Sequence, residues 1–195
     1  MAYDVVVIGA SFGGVEAVSA ALAALPAGFP LPVVIALHRA TAPPDDGGLQ
    51  AIWQRHTSLL VCEAEDKSPI APGHVYVAPA DYHLMIEARN LFALSTEGPV
   101  LWARPSIDVL FETAAEVYGA SVIGMILTGA SADGSQGLRA IRARGGCALV
   151  QEPSAAACGV MPRAALAATS VNHVLGLHDL GRVLGTLAGP SAGPR

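Results

Sequence analysis

Asp4-Val5-Val6-Val7-Ile8-Gly9-Ala10-Ser11-Phe12-Gly13-Gly14 reads as a strand, a tight turn and the start of a helix. Asp4 to Ile8 is a β-branched run without polar alternation, which suits a strand buried on both faces. Gly14 to Leu25 continues as an Ala-rich helix ended by Pro26. Pro32 to Leu37 is a second buried strand, and it delivers His38 at its carboxyl end. A polar, Pro- and Gly-rich loop follows over Arg39 to Gly48, then a short helix over Leu49 to His56.

Working outward, Val75 to Ala78, His83 to Glu87 and Leu91 to Ser95 are short strands separated by turn residues, a pattern that predicts an antiparallel β-meander. Ser106 is a helix N-cap, and Ile107, Leu110, Phe111, Ala114 and Val117 follow at helical spacing up to Gly119. Val122 to Leu127 is a third buried strand, leading into the small-residue turn Thr128 to Gly134. Leu138 to Arg144 is a helix closed by Gly145 and Gly146, and Ala148 to Gln151 is another strand. Asp179 caps a last helix with the stripe Leu180, Val183, Leu184 and Leu187. The expected architecture is α/β: a doubly wound, mostly parallel sheet flanked by helices, Rossmann-like and three-layered, with the meander at one edge. It occupies residues 1–189 as one domain, and 190–195 form a mobile tail.

Composition sets the outer bounds. At roughly 150 residues per domain, 195 residues suit one domain with a sizeable core. A 52% hydrophobic fraction excludes disorder, and a net charge of −5 without a basic cluster argues against nucleic acid. Cys62, Cys147 and Cys158 are odd in number and share no ligand spacing, which argues against a disulfide framework or a zinc site and fits a reducing cytoplasm. No basic segment precedes an apolar one at the start, so no signal peptide is expected. Val18 to Leu37 is long enough to span a membrane, but Pro26, Gly28, Pro30 and Pro32 divide it, so no membrane insertion is expected.

In such sheets ligands bind beyond the carboxyl ends of the strands. Ser11, His38 and Asp133 all fall there. The first turn lacks the glycine pattern of a dinucleotide site, because Ser11 stands at the third place, and the second strand ends in His38 where an acidic residue would hold a ribose. The turn does match Gly-x-Ser-x-Gly, with the serine on a sharp strand-to-helix corner and helix N–H groups facing a developing oxyanion. A serine needs a base, and a neutral imidazole needs a carboxylate to fix its tautomer, so the three residues together suit a nucleophile, a general base and an orienting acid. The plainer alternatives are a helix cap for Ser11, a structural histidine and an Asp-Gly turn. Arg104 either steers an acidic substrate or lies on a loop surface. His56, His74, His83, His173 and His178 share no ligand spacing and read as ordinary polar or partly buried residues. Glu63, Glu65 and Asp66 read as a solvated face.

The chain resembles the catalytic domain of the chemotaxis protein-glutamate methylesterases, the CheB family, over nearly its whole length. The resemblance rests on Ile8-Gly9-Ala10-Ser11 with Gly13-Gly14, His38, Glu63-Ala64-Glu65-Asp66, and Pro72 to Pro79. It continues through Arg104-Pro105-Ser106-Ile107-Asp108-Val109-Leu110-Phe111, Ile126-Leu127-Thr128-Gly129 with Asp133-Gly134, and Met161-Pro162-Arg163. It implies a cytoplasmic serine hydrolase that removes methyl groups from glutamate γ-methyl esters on chemoreceptors, with deamidation of receptor glutamines as a second activity. It implies Ser11 as nucleophile, His38 as general base, Asp133 as orienting carboxylate, and the Phe12 and Ala130 amides as oxyanion donors. Arg104 is the candidate substrate-binding residue, and no metal or organic cofactor is expected.

Departures from the family's pattern cluster at the rim. Phe12 replaces a usually small or polar residue, and Leu101-Trp102-Ala103 stands where the chemotaxis enzymes tend to be polar and basic. Ser131-Ala132 replaces Gly-Asn, and Cys158-Gly159-Val160 precedes Met161 where an aromatic and a glycine are common. Family members of the chemotaxis type usually carry a phosphorylatable receiver ahead of the esterase. Here the esterase begins at residue 1, so the expectation is a catalytic domain alone, leaving room for a separate regulatory protein. Another ester on the same scaffold, or a non-catalytic docking module, remain the alternative readings.

Overall fold

The structure, a computed structural model, describes residues 3–39 and 48–189. Strands β1 (Val5–Ala10), β2 (Val33–Leu37), β3 (Leu60–Glu63), β4 (His74–Val77), β7 (Val122–Ile126), β8 (Cys147–Gln151) and β9 (His173–Leu175) form one sheet. Their order is β3-β4-β2-β1-β7-β8-β9, and every pairing is parallel. β5 (His83–Ala88) and β6 (Leu91–Ser95) form a separate antiparallel hairpin. β1, β2, β7 and β8 are buried along their whole length, as their unbroken apolar runs require of parallel strands covered on both faces.

Among the described residues six α-helices supply the cover. α1 (Gly14–Ala23), α2 (Gly48–Gln54) and α6 (Leu177–Ala188) bury Val18, Leu22, Trp53, Leu180 and Leu184 on one face of the sheet. α3 (Ile107–Tyr118), α4 (Ser135–Ala143) and α5 (Val160–Ala168) bury Leu110, Phe111, Leu138, Ile141 and Met161 on the other. The hairpin lies in this second layer, where Leu84, Ile86 and Phe92 join the same core as α3. The doubly wound, three-layer parallel sheet is therefore as the sequence predicts.

The meander needs correction. Its first strand is β4, an interior strand lying parallel between β3 and β2, so the antiparallel part is a two-stranded hairpin. Burial explains the difference: Val75, Tyr76 and Val77 are all buried, as in a two-faced strand, whereas Leu84 and Ile86 alternate with the half-buried Met85 and exposed Glu87. β3, β9 and α5 were not anticipated from the sequence; β3 and β9 are short, and α5 is an Ala-rich stretch with Pro162 in its first turn. α4 starts at Ser135, and α6 starts at Leu177, so Asp179 sits within its first turn and not at the cap. Most of the predicted 39–48 loop and the whole 190–195 tail lie outside the described residues. The Val18 to Leu37 stretch is the end of α1, a loop and β2, and no described helix is long and apolar enough to cross a membrane.

The chain winds outward from β1 to β2 on one side and resumes at β7 on the other. The crevice beyond the carboxyl ends of β1 and β7 is thus the topological switch point, the place where such sheets bind ligands. Ser11 follows β1, His38 follows β2, and Thr128 to Asp133 follow β7.

One close approach fixes the outer layer. Gly181 of α6 lies on the backbone at the end of α1, where an added Cβ would overlap the Ala24 carbonyl oxygen. One turn on, Gly185 meets only Pro26 side-chain atoms, at 3.3 and 3.6 Å. Gly181→Ala is expected to push α6 away and destabilise the fold by about 1–3 kcal/mol, lowering Tm by ~2–4 °C per kcal/mol. Gly185→Ala should be near neutral, because gained helix propensity offsets the contact. Thermal unfolding of the two variants, followed by circular dichroism, checks the contrast.

Candidate active site

The turn after β1 is tied to the turn after β7. The Ser11 amide donates to the Thr128 carbonyl at 2.9 Å, and the Thr128 hydroxyl donates to the Phe12 carbonyl at 2.9 Å. The same hydroxyl accepts from the Cys158 amide at 2.8 Å, drawing in the segment ahead of α5. Gly129 completes the contact: a Cβ there would lie 2.9 Å from the Ser11 Cβ and 2.6 Å from Met161 Cε, so only glycine lets the two turns close. Ser11 is half-buried and Phe12 exposed. The amides of Ser11 and Gly129 are engaged, the latter by the Cys158 carbonyl, whereas those of Phe12 and Ala130 have no acceptor among the described residues.

His38 stands one strand away. Ala10 and Leu37 are register partners, and the His38 amide donates to the Ala10 carbonyl at 3.0 Å. Ser11 and His38 are the residues that directly follow these partners, each where the chain leaves its strand. The His38 ring presents Nε2 to Asp133 Oδ2 at 2.7 Å. With a carboxylate there, Nε2 carries the proton and Nδ1 is left with its lone pair.

Asp133 is fully buried and is held by five donors among the described residues. Oδ2 accepts from His38 and from the Ile107 amide at 2.7 Å; Oδ1 accepts from Ser106 Oγ at 2.9 Å and from the Asp108 and Gly134 amides at 3.0 Å. Two of these amides belong to the first turn of α3, so the carboxylate also faces the positive end of that helix. Burial alone would raise its pKa, but the His38 hydrogen bond and the Ile107 and Asp108 amides outweigh it and hold the carboxyl below its ordinary range.

A second carboxylate mirrors the first. Asp108, in the first turn of α3, accepts from the Gly137 amide in the first turn of α4 at 2.7 Å. Each helix start is thus capped by an acid from beside the other. Asp108 has the weaker set of donors, and burial first, then the charges of Asp133 and Glu112, push its pKa to about 6 against the Gly137 bond. Behind Asp133 the chain of contacts continues: the Ser106 amide donates to His83 Nδ1 at 3.1 Å, and His83 Nε2 donates to the Gly98 carbonyl at 3.1 Å. His83 is 1% exposed and supports Ser106 from behind.

A cleft of about 460 Å³ opens beside the histidine, lined by His38, Arg39, Asp81, Leu101, Trp102 and Arg104 among others. Arg104 donates through Nη1 to the carbonyls of Thr96 and Glu97, and its Nη2 lies 3.9 Å from Asp81. Arg39 donates to Glu63 at 3.0 Å. The Nε of each arginine is buried without a hydrogen-bond partner among the described residues. Among those residues no three His, Cys, Asp or Glu side chains group as metal ligands would.

The three residues singled out at the strand ends are therefore neighbours at one edge of one sheet. The arrangement can supply an oriented imidazole, its Nδ1 without a hydrogen-bond partner among the described residues, on the strand end next to that of a serine on a helix-start turn. Sequence reading missed Thr128 as the link between turns, Ser106 and Asp108 as supports of Asp133, and His83 as a buried brace. Ser106 carried a helix-cap signal only, and nothing in its neighbourhood points to Asp133, 27 residues on.

The CheB methylesterase family profile matches residues 6–184. A Leptospira interrogans protein, provisionally named a protein-glutamate methylesterase/protein-glutamine glutaminase, is 47% identical over 180 residues, covering 92% of each chain. The protein-glutamate methylesterase FrzG of Myxococcus xanthus is 38% identical over 93% of this chain, which spans 54% of FrzG. The crystal structure of the Thermotoga maritima CheB methylesterase catalytic domain superposes with a TM-score of 0.88 at 30% identity, covering 94% of this chain and 98% of that one.

The two carboxylates give stability opposite pH trends. Asp108 is raised, so between the ordinary Asp range and about pH 6 the folded state holds a proton that the unfolded chain releases, and stability falls as pH rises through that window. Asp133 is lowered, so its contribution is present above the ordinary range and is lost as pH falls below it. Asp108→Asn keeps an oxygen for the Gly137 amide and removes the titration. Relative to wild type the variant should gain up to ~3 kcal/mol between pH 4 and 7, then hold level. Unfolding curves of both proteins across that range test it.

Proposed function

The chain belongs to the CheB methylesterase family, and on that premise we propose that it hydrolyses the γ-methyl ester of glutamate in a protein, releasing methanol, with Ser11, His38 and Asp133 as its catalytic residues. The observation that carries this reading is the 2.7 Å contact from His38 Nε2 to a buried, five-fold bonded Asp133 beside the Ser11 turn. Ser11 Oγ attacks the ester carbonyl carbon while His38 Nδ1 takes its proton. The oxyanion is received by the Phe12 and Ala130 amides. As the intermediate collapses, the carbon–methoxy bond breaks and the leaving oxygen takes the proton from His38 as methanol. A water then attacks the acyl-enzyme, again giving its proton to His38, which returns it to Ser11 as the free glutamate departs. Asp133 stays ionised throughout, keeping the ring in one tautomer and balancing its transient positive charge.

The same steps on a glutamine γ-amide release ammonia, in line with the double name of the Leptospira relative. The substrate we infer is a methylated chemoreceptor-type protein and the setting is the cytoplasm. Arg104 lies on the cleft wall beside His38 and is the substrate-binding residue in this reading, with a buried Nε still unpartnered.

Methanol release from a methyl-esterified chemoreceptor cytoplasmic fragment tests the reading. Ser11→Ala should lower kcat/KM by at least ~10³-fold, and Asp133→Asn by about 10³–10⁴-fold through the wrong imidazole tautomer. Wild-type protein that is folded yet releases no methanol would overturn it.

A further inference from the structure

Leu101 and Trp102 form the tip of a tight turn on the cleft wall. The Ala103 amide donates to the Val100 carbonyl at 2.9 Å, and the Val100 amide donates back to the Ala103 carbonyl at 3.1 Å. Between them Leu101 has φ 47° and Trp102 has φ 66°. Two successive left-handed residues define a type I′ turn, which favours Asn-Gly because a Cβ is strained there. This chain instead puts two large apolar residues in those positions. The fold draws no packing from Trp102, which is 99% exposed, and only part of Leu101 is covered, with 52% exposed. The turn is also braced. Arg104, directly after it, is hydrogen-bonded to the Thr96 and Glu97 carbonyls on the approaching strand of chain. Residues that break the local rule of their turn and gain little inside the molecule mark a functional surface.

Leu101, Trp102 and His38 line the same cleft, so a polypeptide whose ester reaches the imidazole comes within reach of that surface. We propose that Leu101 and Trp102 are the specificity element for the protein substrate, packing against an apolar side chain that lies beside the esterified glutamate. This rests on the protein-ester reading above. A Trp held on a rigid turn offers a large contact area with little rotamer freedom to lose, which is why Trp dominates so many interfaces. The occupant is the substrate polypeptide itself, because apart from water no other molecule is obliged to enter the cleft for turnover.

Replacing Leu101→Asn together with Trp102→Gly installs the residues the turn prefers, so the fold is kept while both apolar groups are removed. Two rates are compared: methanol release from the methyl-esterified chemoreceptor fragment, and hydrolysis of p-nitrophenyl acetate. The ratio of the two kcat/KM values should fall at least tenfold in the double variant, mainly through KM for the fragment. An unchanged ratio, or an equal fall on both esters, would overturn the inference and leave the methylesterase reading standing. A wild type inactive on the fragment would overturn both. Fluorescence gives a second readout, since the chain's two tryptophans are Trp102 and the fully buried Trp53. Binding of a Trp-free methylated fragment to Ser11→Ala should shift emission to the blue as Trp102 leaves water. Binding without a shift would refute the contact.

Discussion

Asp133 is buried with no solvent contact, ionised, and held by the starts of two helices and the His38 ring at once. An isolated carboxylate in such a place would be strongly destabilising, so every one of its donors has to be delivered by the fold. α3 brings two amides and the Ser106 hydroxyl, the turn after β7 brings the Gly134 amide, and β2 brings the imidazole. The position of α3 across the sheet, the closeness of its first turn to that of α4, and the length of β2 are all tied to this one group. Its partner Asp108 shows the same constraint with fewer donors, and its pKa moves the other way. Two acids, each at the start of a helix in the same core, are thereby driven to opposite sides of their common reference value, by burial and the charges of Asp133 and Glu112 at Asp108 and by the hydrogen bonds of His38, Ile107 and Asp108 at Asp133.

The parallel sheet and its three strand-end residues were legible because the relevant signals are local. Val5 to Ile8, Val33 to Leu37 and Val122 to Leu127 are unbroken apolar runs, each followed directly by a residue or turn that stands out chemically. The partner of a short strand is a different kind of fact. His74–Val77 pairs with residues on β2 and β3, and no turn signal beside it tells a sheet interior from a meander. β9 is three residues long and its place at the sheet edge comes from pairing with β8. Neither placement is written in the segment itself.

The support of the site was less legible still. His83, Ser106, Asp133 and His38 form a line of hydrogen bonds spanning sequence separations of 23, 27 and 95 residues. Each residue has a plain local reading, as a strand residue, a helix cap, an Asp-Gly turn and a strand end. Only the crossing of α3 over the ends of β1 and β7 turns four ordinary residues into one network. Thr128 is similar, since its hydroxyl serves two different loops at once and neither is its neighbour in sequence.

The molecule separates what must be rigid from what is free to differ. Ser11 is half-buried, His38 has a 14% exposed side chain, and Asp133 has none, with donors and core packed directly behind. Phe12, Leu101 and Trp102 lie outside that network and are exposed, so a change among them costs the core little. The Leu101–Trp102 turn nevertheless carries two left-handed non-glycine residues, at roughly 1–2 kcal/mol each. A strain of that size, kept at the mouth of a cleft whose inner wall is under close constraint, is borne by the stability of the fold itself. On the proposed reading, chemistry and specificity rest on different parts of the fold, and the rim can be redrawn for another protein ester without disturbing the carboxylate on which the interior depends.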